Sequence, residues 1–106
     1  MKIKSRSFIN KGRFKDNGWG NGYATIHKGH PLFLKDTEFL EYFINAHGGF
    51  TYAELNQNNK DEYIVGFDTA HIYDTAEVQN EQYVKNEAEN LAKQIDKFDK
   101  IGRAHV

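Results

Sequence analysis

The clearest periodic pattern lies at residues 80 to 98, where Val84, Ala88, Leu91, Ala92, Ile95 and Phe98 fall on one stripe at the ~3.6-residue helical period. Lys85, Glu87, Glu89, Asn90, Lys93 and Asp96 occupy the other face, which predicts an amphipathic helix packed on a sheet. Tyr63-Ile64-Val65-Gly66-Phe67 is the strongest strand pattern, and it delivers Asp68 and His71 at its end. Weaker β patterns appear at Tyr23 to Ile26, at Phe50-Thr51-Tyr52, and near the start, where Ile3 and Phe8 among charged residues suit an edge strand. Thr37-Glu38-Phe39-Leu40-Glu41 opens a short helix, although Tyr42-Phe43-Ile44 fits a strand equally well. The fold class that follows is α+β, a small, mainly antiparallel sheet packed against one long C-terminal helix.

Breaks in these patterns are marked by glycine and asparagine. Asp16-Asn17-Gly18-Trp19-Gly20-Asn21-Gly22 predicts a turn with Trp19 at its tip. His47-Gly48-Gly49 predicts a tight turn, and Asn56-Gln57-Asn58-Asn59-Lys60-Asp61 a polar loop. At 106 residues the chain fits one domain, assigned to residues 1 to 100. Ile101-Gly102-Arg103-Ala104-His105-Val106 resembles, residue for residue, the translation of a common sequencing-library adapter, so 101 to 106 is expected to be a non-native tail.

Composition removes several classes of function. There is no cysteine, which excludes disulfides, thiolate metal sites and a thiol nucleophile and favours a cytoplasmic setting. No apolar run is long enough to span a membrane, and the first residues lack the apolar stretch of a signal peptide. Net charge is −1, but Lys2, Lys4, Arg6, Lys11, Arg13, Lys15 and Lys28 concentrate positive charge in the first thirty residues. That suits a few phosphates, or a lysine-protected edge strand, and is too little for general nucleic-acid binding.

The candidate chemistry lies in three segments: Gly29-His30-Pro31, His47-Gly48-Gly49 and Gly66-Phe67-Asp68-Thr69-Ala70-His71. Asp68, His71 and Asp74 recur every three residues, so one helical turn would align a carboxylate with an imidazole, fixing its tautomer for acid–base or metal chemistry. Alternatively Asp68 caps the turn after the strand. His30 and His47 could add imidazoles, and such donors suit zinc, iron or manganese, but no H-E-x-x-H is present and neither a metal nor a cofactor is identified. Dinucleotide, P-loop, zinc-deaminase and serine-hydrolase motifs all fail. Trp19 and Tyr52 are kept as stacking candidates, and Thr51, Asp74 and Arg13 complete the binding set.

G-Y-x-x-I-x-x-G-H-P-L at Gly22 to Leu32, H-G-G-F-T-Y at His47 to Tyr52 and G-F-D-T-A-H-x-x-D at Gly66 to Asp74 resemble a family of small phage- and prophage-encoded proteins. The chain departs from that pattern at His27-Lys28, at Ala46 and at Thr69, where the family has cysteine. The resemblance implies a phage origin and, by analogy, action against host defence in the host cytoplasm. The leading expectation is sequestration of a small nucleotide-like ligand, a cyclic nucleotide or ADP-ribose derivative, by His30, His47, Thr51, Asp68 and His71, with Arg13 or Arg6 on phosphate. The second is hydrolysis of such a ligand, a phosphodiesterase-type cleavage with His71, His47 or His30 and Asp68 or Asp74 in acid–base roles, or with a metal in place of one imidazole. The third is masking of a host protein, disfavoured because the core is expected to claim every apolar patch. A homo-oligomer is compatible with all three.

Overall fold

The computed structural model describes residues 3–12 and 17–104, with side-chain surroundings in the last helix described as far as Phe98. Its elements are β1 (Ser7–Lys11), β2 (Gly20–His27), α1 (Thr37–Phe43), β3 (Tyr52–Asn56), β4 (Asn59–Asp68) and α2 (Glu81–Ala104). The strands form one antiparallel sheet in the order β1-β2-β4-β3. The α+β class expected from the sequence is therefore present, with the long C-terminal helix packed on the sheet. Of the expected non-native tail, His105 and Val106 lie outside the described residues, and α2 runs through Ala104. Among the described residues no helix is long and apolar enough to cross a membrane.

Strand alternation sets the layers. Ala24 and Ile26 of β2 and Val65 and Phe67 of β4 meet the α2 stripe of Val84, Ala88, Leu91, Ala92 and Ile95 in one buried cluster. Phe98 of the same stripe is partly buried against it. On the opposite face Phe8 stacks on Tyr23 at 4.9 Å and Tyr52 meets Tyr23 edge-on at 5.5 Å, an aromatic cover in place of a helix. Leu32, Leu40, Ile44 and Phe50, from the segments joining β2 to β3, complete the core.

The ambiguous segment after Thr37 is a helix. Asp36 caps it by accepting from the Phe39 N–H at 2.9 Å, and Leu40 is its buried anchor. The edge strand lies later than the sequence pattern suggested, at Ser7–Lys11, and the polar loop shrinks to Gln57-Asn58 because β4 already begins at Asn59. The larger correction concerns Gly20 and Gly22, which lie in β2 and not in a turn. A Cβ on Gly22 would stand 2.5 Å from the Phe67 ring, and one on Gly20 would stand 2.1 Å from the Asn10 carbonyl. These glycines make room for neighbours, the second use of glycine in a strand. Trp19 accordingly packs, partly buried, against the core.

Gly22→Ala should lower stability by about 1–3 kcal/mol, the ordinary cost of overpacking a filled core. Urea unfolding followed by far-ultraviolet circular dichroism reads this, and an unchanged midpoint would show that Phe67 can move away freely.

Candidate functional site

Three loops converge beside the N-terminal part of α2. The turn at His47-Gly48 closes through Gly49 N–H to Ala46 carbonyl at 2.9 Å, with Gly48 and Gly49 at φ +68° and +90°. Past β4, Asp68 Oδ1 accepts from the Ala70 N–H at 3.1 Å, and a second turn closes through Asp74 N–H to His71 carbonyl at 2.9 Å. Asn17 donates to the His71 carbonyl at 2.8 Å. Thr69 holds the third segment: its hydroxyl donates to the Gly20 carbonyl at 2.7 Å and accepts from the Gly20 N–H at 3.2 Å. Gly18 donates to the Thr69 carbonyl at 2.8 Å.

Asp74 lies at the centre and is 1% exposed. Its Oδ1 receives His47 Nε2 at 2.7 Å, and its Oδ2 receives both His71 Nδ1 at 2.7 Å and the His71 backbone N–H at 3.0 Å. Burial alone would raise the Asp74 pKa. The backbone N–H, the two imidazole hydrogen bonds and the charge of His47 outweigh it and hold the carboxyl below its ordinary value. An ionised carboxylate only accepts, so the facing nitrogens, His47 Nε2 and His71 Nδ1, each carry a proton. In neutral His71 that leaves the Nε2 lone pair outside the Asp74 contact, on a side chain 22% exposed.

His47 is anchored at its other nitrogen, where Nδ1 meets the Tyr83 hydroxyl at 2.7 Å, and Glu87 Oε1 lies 3.4 Å beyond that hydroxyl. Burial first, and then the Glu87 charge, raise the Tyr83 pKa and keep its hydroxyl protonated. Tyr73 stacks on the His71 ring at 5.3 Å and 10°. A Cβ on Gly48 would fall 2.3 to 2.4 Å from His71 Cε1 and Nε2, so a glycine is required there for space as well as for its positive φ.

Of the expected site residues, His47, His71 and Asp74 are brought together, and Asp68 stands at their margin, 3.7 Å from His71 Nδ1. Asp68 is the cap of the turn and Asp74 the partner of the imidazole, so the two carboxylates divide the roles that the three-residue spacing left open. The spacing acts through a turn and not through a helix.

His30 belongs elsewhere. Its Nδ1 accepts from the Leu32 N–H at 2.9 Å and its Nε2 meets the Ile95 carbonyl at 2.8 Å. Ile95 is about 18 Å along α2 from Tyr83 at ~1.5 Å per residue. Arg6 pairs with Glu62 at 3.0 Å, which stands opposite His27, about 20 Å along β4 from Asp68 at ~3.3 Å per residue. Tyr52 lies opposite Gly66 on the aromatic face, away from His47, and Thr51 is exposed with its N–H on the Gly66 carbonyl. Trp19 is part of the packing, and Arg13 lies outside the described residues.

Tyr83 and Tyr73 were not among the candidates. Tyr83 precedes Val84 at the border of the apolar stripe and sits one turn before Glu87, a pattern that many helices share. Ile72, Tyr73 and Val78 stand exposed in the loop that carries Asp74.

Protein-family models, curated proteins and solved structures were compared with the chain, and none matches.

Because the Asp74 pKa is depressed by folding, its contribution to stability is present above the unfolded value of ~3.9 and is lost as pH falls through the folded value. At pH 7 Asp74→Asn should cost about 1.5–3 kcal/mol, and the gap from wild type should close as pH drops below ~4. Urea midpoints of both proteins across pH 3 to 7 check this, and a gap independent of pH would contradict it.

Proposed function

We propose that the chain is a hydrolase that opens a phosphodiester or related bond of a nucleotide-like ligand, with His71 as general base. The observation that carries the reading is the buried Asp74 carboxylate on His71 Nδ1, which fixes the tautomer whose Nε2 is unprotonated. The attacking water gives its proton to Nε2 as its oxygen bonds to phosphorus. The same N–H then returns the proton to the leaving oxygen, and Asp74 stabilises the imidazolium between the two transfers without taking the proton. His47 and Tyr83 keep Asp74 in place and touch no reacting atom.

The nucleotide class is supported by the sequence: basic residues gather in the first thirty positions, and the motifs resemble those of small phage proteins. Lys11 pairs with Gly20 at the same end of the sheet from which Thr69 and His71 emerge, which suits an anionic ligand there. Arg6, held by Glu62, does not serve that purpose. Action against host defence is the biological setting this reading proposes, and capture of an intact nucleotide is its competitor.

Incubation with a panel of cyclic and ADP-ribose-derived nucleotides, followed by denaturation and chromatography, distinguishes the two. Catalytic amounts of protein should convert at least one member in excess, and His71→Ala should slow this by ~10²–10⁴-fold. His27→Gln, at the far end of the sheet, should leave it unchanged. Stoichiometric release of intact nucleotide would overturn hydrolysis in favour of sequestration. A second measurement concerns Gly48→Ala, which drives a Cβ into the His71 ring and should lower kcat while the protein stays folded by circular dichroism.

A further inference from the structure

We propose that His47, His71 and Asp74 also form a binding site for a divalent transition metal of the zinc class, held by His47 Nε2, His71 Nδ1 and an Asp74 oxygen. The proposal uses the same residues as the hydrolysis reading but not its chemistry. One ligand atom from each lies within 4.8 Å of the others, and all three residues come from the short connections α1–β3 and β4–α2. Two imidazoles and one carboxylate are a donor set that suits zinc, cobalt and iron. Tetrahedral ligands at ~2.1 Å from a metal stand ~3.4 Å apart. His47 Nε2 lies 2.7 Å from Asp74 Oδ1 and His71 Nδ1 lies 2.7 Å from Asp74 Oδ2, so a metal taking one of these oxygens needs that contact to open by about 0.7 Å and the remaining ligand pairs, no more than 4.8 Å apart, to settle toward the same spacing, after which three protein ligands leave a fourth position open.

The surroundings favour a metal independently of the trio. A metal-bound imidazole is normally oriented by a hydrogen bond at its other nitrogen. His47 has this from Tyr83 at 2.7 Å, and Tyr83 in turn has Glu87 at 3.4 Å. When Nε2 takes the metal, the His47 proton moves to Nδ1 and is donated to the Tyr83 oxygen, while the Tyr83 hydroxyl proton turns toward Glu87. Asp74 keeps its bond from the His71 backbone N–H. In His71 the proton moves from Nδ1 to Nε2. Each neutral imidazole keeps one proton throughout, so no proton needs to leave for the metal to enter. With Nε2 protonated His71 is no longer a base, and metal-bound and metal-free states of the site have different chemistry.

Titration of the metal-free full chain with Co²⁺, followed by visible absorption, tests the site without reference to activity. One equivalent should bring up a d–d band of tetrahedral intensity that Zn²⁺ removes. His47→Ala and Asp74→Ala should abolish it, and His27→Gln should retain it. If those two variants do not fold, Tyr83→Phe decides, since it keeps all three ligands and should weaken Co²⁺ binding ~10–100-fold. Absence of a band in the wild type, its survival in folded His47→Ala, or an unchanged Kd in Tyr83→Phe would overturn the proposal. Nucleotide turnover by the metal-free protein is read separately, so either reading can fail while the other stands.

Discussion

A carboxylate with almost no exposure cannot keep its charge unless the fold surrounds it with donors, and Asp74 imposes that constraint on every segment near it. It takes three hydrogen bonds, two from imidazoles and one from a backbone N–H. The turns at His47 and at His71 are therefore fixed relative to each other by one side chain. Removing either imidazole leaves a buried charge short of a donor, while removing the carboxylate leaves two imidazoles without an acceptor. Among the described residues no buried side-chain nitrogen or oxygen lacks a partner, so the network closes on itself.

The glycines are a consequence of that closure. Gly48 admits the His71 ring, Gly18 approaches Thr69 where a Cβ would stand 2.3 Å from its hydroxyl, and Gly22 admits Phe67 beneath His47. In each case a missing side chain allows a neighbouring side chain, the His71 and Phe67 rings or the Thr69 hydroxyl, to come close. The Tyr83–Glu87 pair extends the network into α2, which ties the site to the helix that also buries the core stripe. The position of the loops thus depends on the same packing that makes the fold.

What was legible in the sequence was what periodicity or local spacing encodes. The apolar stripe from Val84 to Phe98 and the run from Tyr63 to Phe67 stated the helix, the central strand and hence the α+β class. The pairing of His71 with a carboxylate three residues away was also readable, although spacing alone could not choose between Asp68 and Asp74. Burial chose, because Asp74 has no exposure to spare while Asp68 remains partly solvated at the strand end. Gly20 and Gly22 misled because a glycine that yields space to a ring across the sheet looks, in one dimension, like a glycine that turns the chain. His30 misled because its glycine–proline setting is functional in appearance, whereas its Nδ1 takes the nearby Leu32 N–H and its Nε2 meets the Ile95 carbonyl, a backbone group that only the tertiary fold brings to it. Tyr83 could not be singled out, since its role depends on a histidine far away in the chain.

The central claim is that Asp74 holds His71 in one tautomer, protonated at Nδ1 and bare at Nε2. Two-bond proton–nitrogen correlation spectra of uniformly ¹⁵N-labelled, metal-free protein at neutral pH report this directly. His71 should show a protonated-type Nδ1 and an unprotonated-type Nε2 shift, and Asp74→Asn should disturb that pattern while distant His27 keeps its own. A His71 found protonated at Nε2 with a bare Nδ1, or averaging freely between the two tautomers, would contradict the account.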